Sequence, residues 1–173
     1  MSPAMIFQTQ LVLGYVPWLL ILAAYGWPWL RSMDHIEAHR VIATLHSFRF
    51  FGLAFIIPGV VGANLPAGFA SYAAYGDFGT GILAMLALLT VRIRPLFWLL
   101  VVVFNAVGAV DLLIAYYHGN ELGLPTLAGE LGAAYAIPII YVPALMITHV
   151  VAFYLLLRAR PTADRTLVHR AAL

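Results

Sequence analysis

The stretch HSFRFFGLAFIIPG, residues His46–Gly59, decides how this chain is interpreted. It places a histidine and an arginine at the start of an apolar run, in a chain that is 64% hydrophobic and only 9% charged. A soluble domain of 173 residues leaves too much of its chain at the surface to hide that apolar content. Long apolar runs with few charges are typical of transmembrane helices. The composition therefore predicts an all-α, multi-pass membrane protein.

Five apolar runs predict a bundle of about five transmembrane helices in a single transmembrane domain that covers residues 1–173. The predicted spans cover residues 6–30, 41–62, 71–91, 95–117 and 132–157. Residues 33–40 are expected to form an amphipathic lead-in to the second helix, and residues 158–173 a short cytoplasmic tail. The sequence leaves open whether residues 63–76 dip back into the membrane.

The placement of arginine predicts the orientation of the bundle. All nine basic residues are arginines. Apart from Arg49, they follow the first, third and fifth runs, whereas the connections on the opposite side carry no Lys or Arg. Basic residues concentrate in cytoplasmic loops. The N-terminus is therefore expected outside and the C-terminus inside, in the inner membrane of a cell.

The residue types that the sequence lacks exclude several chemistries. It has no cysteine, which excludes disulfides, thiolate metal sites and iron–sulfur clusters. It has no lysine, so a Schiff base with retinal or pyridoxal cannot form. No basic domain is present to hold nucleic acid, and the sequence motifs of hydrolases, zinc proteases and nucleotide-binding proteins are missing. Neither an enzymatic role nor a metal site is indicated.

Arg49 is the one arginine that lies inside an apolar run. It is about eight residues into the second span, which places it about 12 Å from the inner boundary. A charge near the bilayer centre costs roughly 2.5–3.5 kcal/mol on insertion scales, and such residues usually face the bundle interior with a partner. Helical spacing puts His46 on the same stripe as Arg49. Two interpretations stay open: Arg49 extends to the inner headgroups, or it faces a polar interior.

Other polar residues in the spans form two expected layers. His149 lies at nearly the depth of Arg49, with Tyr141 two turns further out. Asp77 and Asp111 lie about 9 Å from the outer boundary, and aspartate is too short to reach the headgroups. Asn105 is near the middle of its span. These depths leave a gap between the arginine and the aspartates, which a kinked helix or a water chain would have to close.

Three functional hypotheses follow. The first is permeation or transport of protons or a small polar solute, because intramembrane ionisable groups mark such paths. The residues expected to line the path are Arg49, Asp77, Asn105, Asp111, Tyr141 and His149.

The second hypothesis is a redox subunit that binds haem b or quinone through His46 and His149. Two histidines at matched depth on different helices permit ligation of a haem iron from both sides. The third is a structural accessory subunit whose polar groups join helices by hydrogen bonds. The expected partners are the lipid bilayer and either other membrane subunits or a second copy of the chain, and no nucleic acid.

Five short motifs carry a resemblance to a known family. They are FRFFG (Phe48–Gly52), LPAGFA (Leu65–Ala70), GDFGTG (Gly76–Gly81), NAVGAVDLL (Asn105–Leu113) and YVPALMITH (Tyr141–His149). Through these motifs the chain resembles a family of small bacterial inner-membrane proteins to which no activity is assigned. The resemblance implies a helical membrane bundle and transfers no roles to individual residues.

Overall fold

The computed structural model describes residues 1–158, and every regular element in that range is helical. Four helices of this range are long and apolar enough to cross a membrane. We number the main helices α1 to α5, and they cover Pro3–Ser32, His35–Ser47, Ala67–Leu89, Arg94–Glu121 and Ile137–Leu157. Two 3₁₀ segments cover Phe48–Ile56 and Leu124–Tyr135. Of the expected tail, residues 159–173 lie outside the described part of the chain.

Helix α1 is peripheral and contains a π-helical turn. Ser2 caps its first turn by accepting a hydrogen bond from the Met5 amide at 3.2 Å. Pro3 suits the first helical position, where its missing N–H is not needed. The chain winds as a π-helix over Leu22–Gly26 before the α-helix resumes. Only 6% of the most apolar stretch of α1 is fully buried inside the bundle, so most of its residues remain exposed or half-buried.

Helix α2 differs from the single transmembrane helix that the sequence predicted over residues 41–62. It begins at His35, where Asp34 caps it by accepting a hydrogen bond from the Glu37 amide at 2.9 Å. It ends at Ser47, well before the expected end. The expected lead-in and the first part of the expected span are therefore one continuous α-helix, and the rest of the span has a different structure.

The second half of that span is a 3₁₀ segment, which orients the polar site. A 3₁₀-helix has three residues per turn, so every third side chain faces the same direction. Arg49, Gly52 and Phe55 accordingly form one buried face. The segment ends at Ile56, and the chain turns at Gly59, whose φ of +84° favours glycine.

Helices α3 and α4 extend further than expected at the same end of the bundle. The sequence predicted spans over 71–91 and 95–117, but α3 begins at Ala67 and α4 ends at Glu121. Each helix is about four residues, or about 6 Å, longer at that end than expected. Residues 63–76, left open by the sequence, form a turn and the first part of α3.

Helix α5 starts later than the expected bound of the 132–157 span. Gly132 has φ +51° and ψ −129°, and this conformation interrupts the helix. The backbone N–H of Ala133 donates a hydrogen bond to the Val60 carbonyl at 3.0 Å instead. The membrane-length helix therefore begins at Ile137. The first expected span, 6–30, lies within α1.

The core is divided into three layers along the helices, as the order of buried residues on α3 illustrates. Ala73 belongs to one apolar cluster and Ala84 to another, and Asp77 and Thr80 lie between them. The other helices contribute to the same middle layer. Its buried polar side chains are His46, Arg49, Asp77, Thr80, Asn105, Asp111 and His149. A polar layer is therefore enclosed by apolar packing on both sides.

Candidate functional site

The arginine that the sequence singled out lies at the centre of the polar layer. The side chain of Arg49 is 0% exposed, so the interpretation that it extends to the headgroups is wrong. Its Nε donates to Asp77 Oδ1 at 2.7 Å, and its Nη2 donates to Asp111 Oδ2 at 2.6 Å. Its Nη1 donates to the Gly108 carbonyl at 3.2 Å. One guanidinium thus joins α3 to α4 through two ion pairs and a main-chain bond.

The two expected polar layers are one layer because the helices extend beyond their expected ends. Asp77 lies about ten residues from the start of α3, and Asp111 lies about ten residues from the end of α4. At 1.5 Å per residue both are about 15 Å from that end, not about 9 Å. This difference brings both aspartates to the level of Arg49. Neither a kinked helix nor a water chain is needed to close the gap.

His149 and Asn105 extend the network away from the ion pairs. Asn105 Nδ2 donates to the Val101 carbonyl at 2.8 Å, which leaves its Oδ1 to face His149. His149 Nδ1 lies 2.9 Å from that oxygen and donates to it. The lone pair of His149 Nε2 then faces Arg49 Nη1 at 3.4 Å. This pattern describes a neutral imidazole, so the histidine adds no charge to the layer.

His46 borders the network and is bonded differently. The Thr148 hydroxyl donates to the Ala144 carbonyl at 2.8 Å, so it accepts from His46 Nε2 at 3.0 Å. His46 Nδ1 then carries a lone pair, and this buried atom has no hydrogen-bond partner within residues 1–158. The buried hydroxyl of Thr80 likewise has none in the described range. Such groups are uncommon in folded proteins, and these two are the unsatisfied positions of the layer.

Of the six residues predicted to line a path, five form one connected network and Tyr141 does not join it. The Tyr141 hydroxyl donates to the Leu45 carbonyl at 2.9 Å, at the end of α2. The predicted set of path residues does not include Thr148 and Gly108, which also bond members of the layer. Thr148 directly precedes His149, and Gly108 lies three residues from both aspartate and asparagine in NAVGAVD. That spacing was the available signal.

Glycines let the helices approach the charged cluster. A Cβ on Gly108 would lie 2.6 Å from Arg49 Nη1 and 2.7 Å from His149 Nε2. A Cβ on Gly52 would lie 2.5 Å from the Asp77 Cβ. Real Cβ atoms do not approach other atoms so closely, so glycine at these positions makes room for the arginine and its partners.

The histidine pair does not fit a haem. The ring centroids of His46 and His149 are 4.1 Å apart. Two metal–nitrogen bonds of about 2 Å each would by themselves hold the coordinating atoms about 4 Å apart, with the rings extending outward beyond them. The rings are therefore too close for an iron and its porphyrin to lie between. Within residues 1–158, no group of three or more His, Asp or Glu side chains is placed to bind a metal ion.

Two spaces reach the carboxylates. The inner cavity, so named because it lies between the helices, has a volume of about 60 Å³. Its walls are mostly apolar, with Phe69 and Ala115 among them, and its polar side chains are those of Asp77, Asp111, Tyr116 and Asn120. The outer groove, of about 770 Å³, runs along α3 and α4 between residues such as Tyr72, Tyr75 and Val107 and also reaches Asp111. The Asp111 side chain, 7% exposed, thus borders both spaces.

Fold and site together define a helical protein with membrane-length helices and a buried arginine–dicarboxylate cluster. The chain belongs to the family described as Domain of unknown function (DUF8737), which matches residues 6–157. This is consistent with the expectation that the chain belongs to a family without an assigned activity. Neither a curated protein nor a solved structure matches the chain.

Proposed function

We propose that the chain is a single domain that crosses the inner membrane of a bacterium five times, with its N-terminus outside and its C-terminus inside. The arginine distribution supports this orientation. From Val41, where the expected second span begins, the rest of α2 and the 3₁₀ segment rise about 29 Å, at 1.5 and 2.0 Å per residue. That length matches the roughly 30 Å hydrocarbon core. The segment therefore supplies the fifth crossing beside the four membrane-length helices.

The proposed function is permeation or transport of protons or a small polar solute through the polar layer. Its path residues are Arg49, Asp77, Asn105, Asp111 and His149, with Tyr141 beside them. Polar side chains at membrane depth are expensive to insert and by default indicate a functional site. Here they form one continuous hydrogen-bonded layer between two apolar clusters.

The charge of the cluster supports a mobile cation or proton. One guanidinium faces two carboxylates, while the hydrogen-bond pattern describes His149 as neutral. The formal charge is one negative unit, which an apolar surrounding makes costly unless a proton or cation compensates it. A group that must take up a positive charge from outside is suited to passing it on.

The observation that carries the proposal is the position of Asp111. It is ion-paired to Arg49, yet it borders the inner cavity on one side and the outer groove on the other. A carboxylate reached from two separate spaces can accept a proton or cation from one and release it to the other. The unsatisfied atoms of His46 and Thr80 give the layer further positions for a passing donor.

A structural role is the second candidate, and a specific observation favours it. All three nitrogens of Arg49 are bonded within the chain, as in a static cluster that fixes helix positions. The outward-facing surface of α1 would then contact other membrane subunits or a second copy of the chain. A haem or quinone role is not proposed, because the histidine pair leaves no space for haem and nothing in the site favours quinone.

Flux measurements on variants separate the two candidates. Wild type, Asp77→Asn and Asp111→Asn are reconstituted in liposomes that contain a pH-sensitive dye, and proton uptake is driven by an imposed potential. The matched control is Glu121→Gln, an exposed carboxylate on the same helix as Asp111. Transport predicts loss of flux in both aspartate variants, with folded protein in the vesicles and normal flux in the control. Stable aspartate variants with full flux would overturn the proposal.

A further inference from the structure

The inner cavity has the features of a binding site for a cation. Its walls come from α1, α3, α4, α5 and the two 3₁₀ segments, and they are mostly apolar or aromatic, including Phe7, Phe55 and Phe69. The charged exceptions are the carboxylates of Asp77 and Asp111, which bond Arg49, and Tyr116 and Asn120 add a hydroxyl and an amide to the walls. The cavity thus combines apolar walls with two buried acidic groups.

The two carboxylates have unused acceptor capacity. Arg49 occupies Oδ1 of Asp77 and Oδ2 of Asp111. The other oxygen of each accepts no hydrogen bond from a residue in the described range. The small residual exposures, 6% for Asp77 and 7% for Asp111, belong to side chains that line the cavity. Each carboxylate of the cavity wall thus keeps one oxygen without a donor from the described residues, Oδ2 of Asp77 beside Gly52 and Oδ1 of Asp111 beside Gly76.

The charge and the walls select the class of ligand. An anion would be repelled by the net negative charge of the cluster. A neutral apolar solute would leave the free carboxylate oxygens desolvated and unpaired. A bare metal ion such as Ca²⁺ takes six or more oxygen ligands. The side chains of the walls offer fewer, because Arg49 already occupies one oxygen of each aspartate. A primary ammonium group offers three donors and one positive charge, and its hydrocarbon body matches the walls.

The volume sets the size of the ligand that the cavity can take up completely. A water-sized group needs about 10–15 Å³ of the kind of volume measured here, so a cavity of about 60 Å³ holds about four to six such groups. This number corresponds to an alkylamine with about five non-hydrogen atoms, such as n-butylamine.

We propose that the inner cavity binds a small hydrophobic primary amine, with its ammonium group at Asp77 and Asp111 and its hydrocarbon body between Phe69 and Tyr116. This proposal names the solute class for the transport function and rests on that function. Binding and flux are nevertheless measured separately. Binding without flux would refute transport and leave the site standing, whereas flux of protons without binding would refute the amine.

The test uses the full-length protein in lipid nanodiscs with n-butylammonium chloride as the probe. 1-Butanol and sodium butyrate serve as the neutral and anionic comparators at equal ionic strength. A ligand that binds only the folded state raises the melting temperature with its concentration. We expect a saturable rise with the ammonium and none with the comparators. No saturable rise, or an equal rise with 1-butanol, would overturn the proposal.

A cavity-filling variant tests whether the ligand binds in the inner cavity. Ala115→Leu fills the inner cavity without altering the charged cluster, and Ala106→Leu is the matched control on the same helix, in the outer groove. We expect Ala115→Leu to raise the Kd for n-butylammonium by at least about tenfold and the control to retain wild-type affinity. Ala115→Val replaces it if the leucine variant does not fold. Unchanged affinity in a folded Ala115 variant would contradict the assigned site.

Discussion

Replacing Arg49 by methionine should strongly destabilise the protein, because it leaves two buried carboxylates without their partner. The arginine is fully buried and bonds Asp77 at 2.7 Å and Asp111 at 2.6 Å. Removing one member of a buried ion pair costs about 3–5 kcal/mol. Since a single arginine serves both pairs here, the loss in the free energy of unfolding should lie near the upper end, about 5 kcal/mol.

The matched control removes the stranded charges as well. The triple variant Arg49→Met/Asp77→Asn/Asp111→Asn is formally neutral in the layer. Buried ion networks replaced as a whole often lose little stability, so the triple variant should recover at least about 2 kcal/mol of the loss. Such non-additivity is expected of side chains in direct contact.

The assay is equilibrium unfolding of the purified variants in mixed micelles, by titration with sodium dodecyl sulfate and detection of tryptophan fluorescence. A free energy of unfolding for Arg49→Met within about 0.5 kcal/mol of wild type would show that the two ion pairs do not stabilise the protein, since surface substitutions have effects of that size. A triple variant less stable than Arg49→Met would contradict an electrostatic origin of the loss, because the cost would then not come from unpaired charge.

Three further predictions concern packing, the α1 contact and the histidine pair. Gly108→Ala should lower the free energy of unfolding by about 1–3 kcal/mol through overpacking. Gly79→Ala is the control, because its added Cβ meets open space, and it should be neutral or stabilising. The opposite order of stabilities in the same unfolding assay would contradict the close contact at Gly108. Trp18→Phe removes the hydrogen bond of 2.8 Å from the indole to a main-chain carbonyl of α5. This loss should lower the free energy of unfolding by about 1 kcal/mol. A variant as stable as wild type would show that this bond does not hold α1 in place. Protein purified from haem-replete cells should show no Soret band in its absorption spectrum, and a Soret band that His46→Ala or His149→Ala abolishes would contradict the close contact of the two rings.

The sequence alone identified the main members of the site because polar side chains in apolar runs are conspicuous. Arg49, Asp77 and Asp111 could each be recognised from composition and depth. Their direct pairing could not, because it depends on where α3 begins and α4 ends. Helix ends are set by turns and packing that a hydropathy pattern does not resolve, and an error of about four residues displaces a side chain by about 6 Å.

The 3₁₀ segment was the main feature of the fold that the sequence did not predict. Apolar residues over 41–62 suit an α-helix, and nothing in FRFFG by itself demands tighter winding. The winding is coupled to tertiary contacts: Gly52 lies against the side chain of Asp77, and a Cβ on Gly81 would lie only 3.0 Å from the Phe50 amide nitrogen. Contacts of that kind appear only once the neighbouring helix is in place.

Proton flux through reconstituted wild-type protein is the most direct test of the central claim. Liposomes with and without the protein are loaded with potassium and a pH-sensitive dye, and valinomycin imposes an inside-negative potential. Proton passage through the polar layer predicts faster acidification in protein-containing vesicles than in protein-free ones, and loss of this difference in Asp111→Asn. Equal rates of acidification with and without folded wild-type protein would contradict proton passage through the polar layer. If the uptake of small polar solutes such as n-butylammonium were also the same with and without protein, a structural role would remain for the cluster.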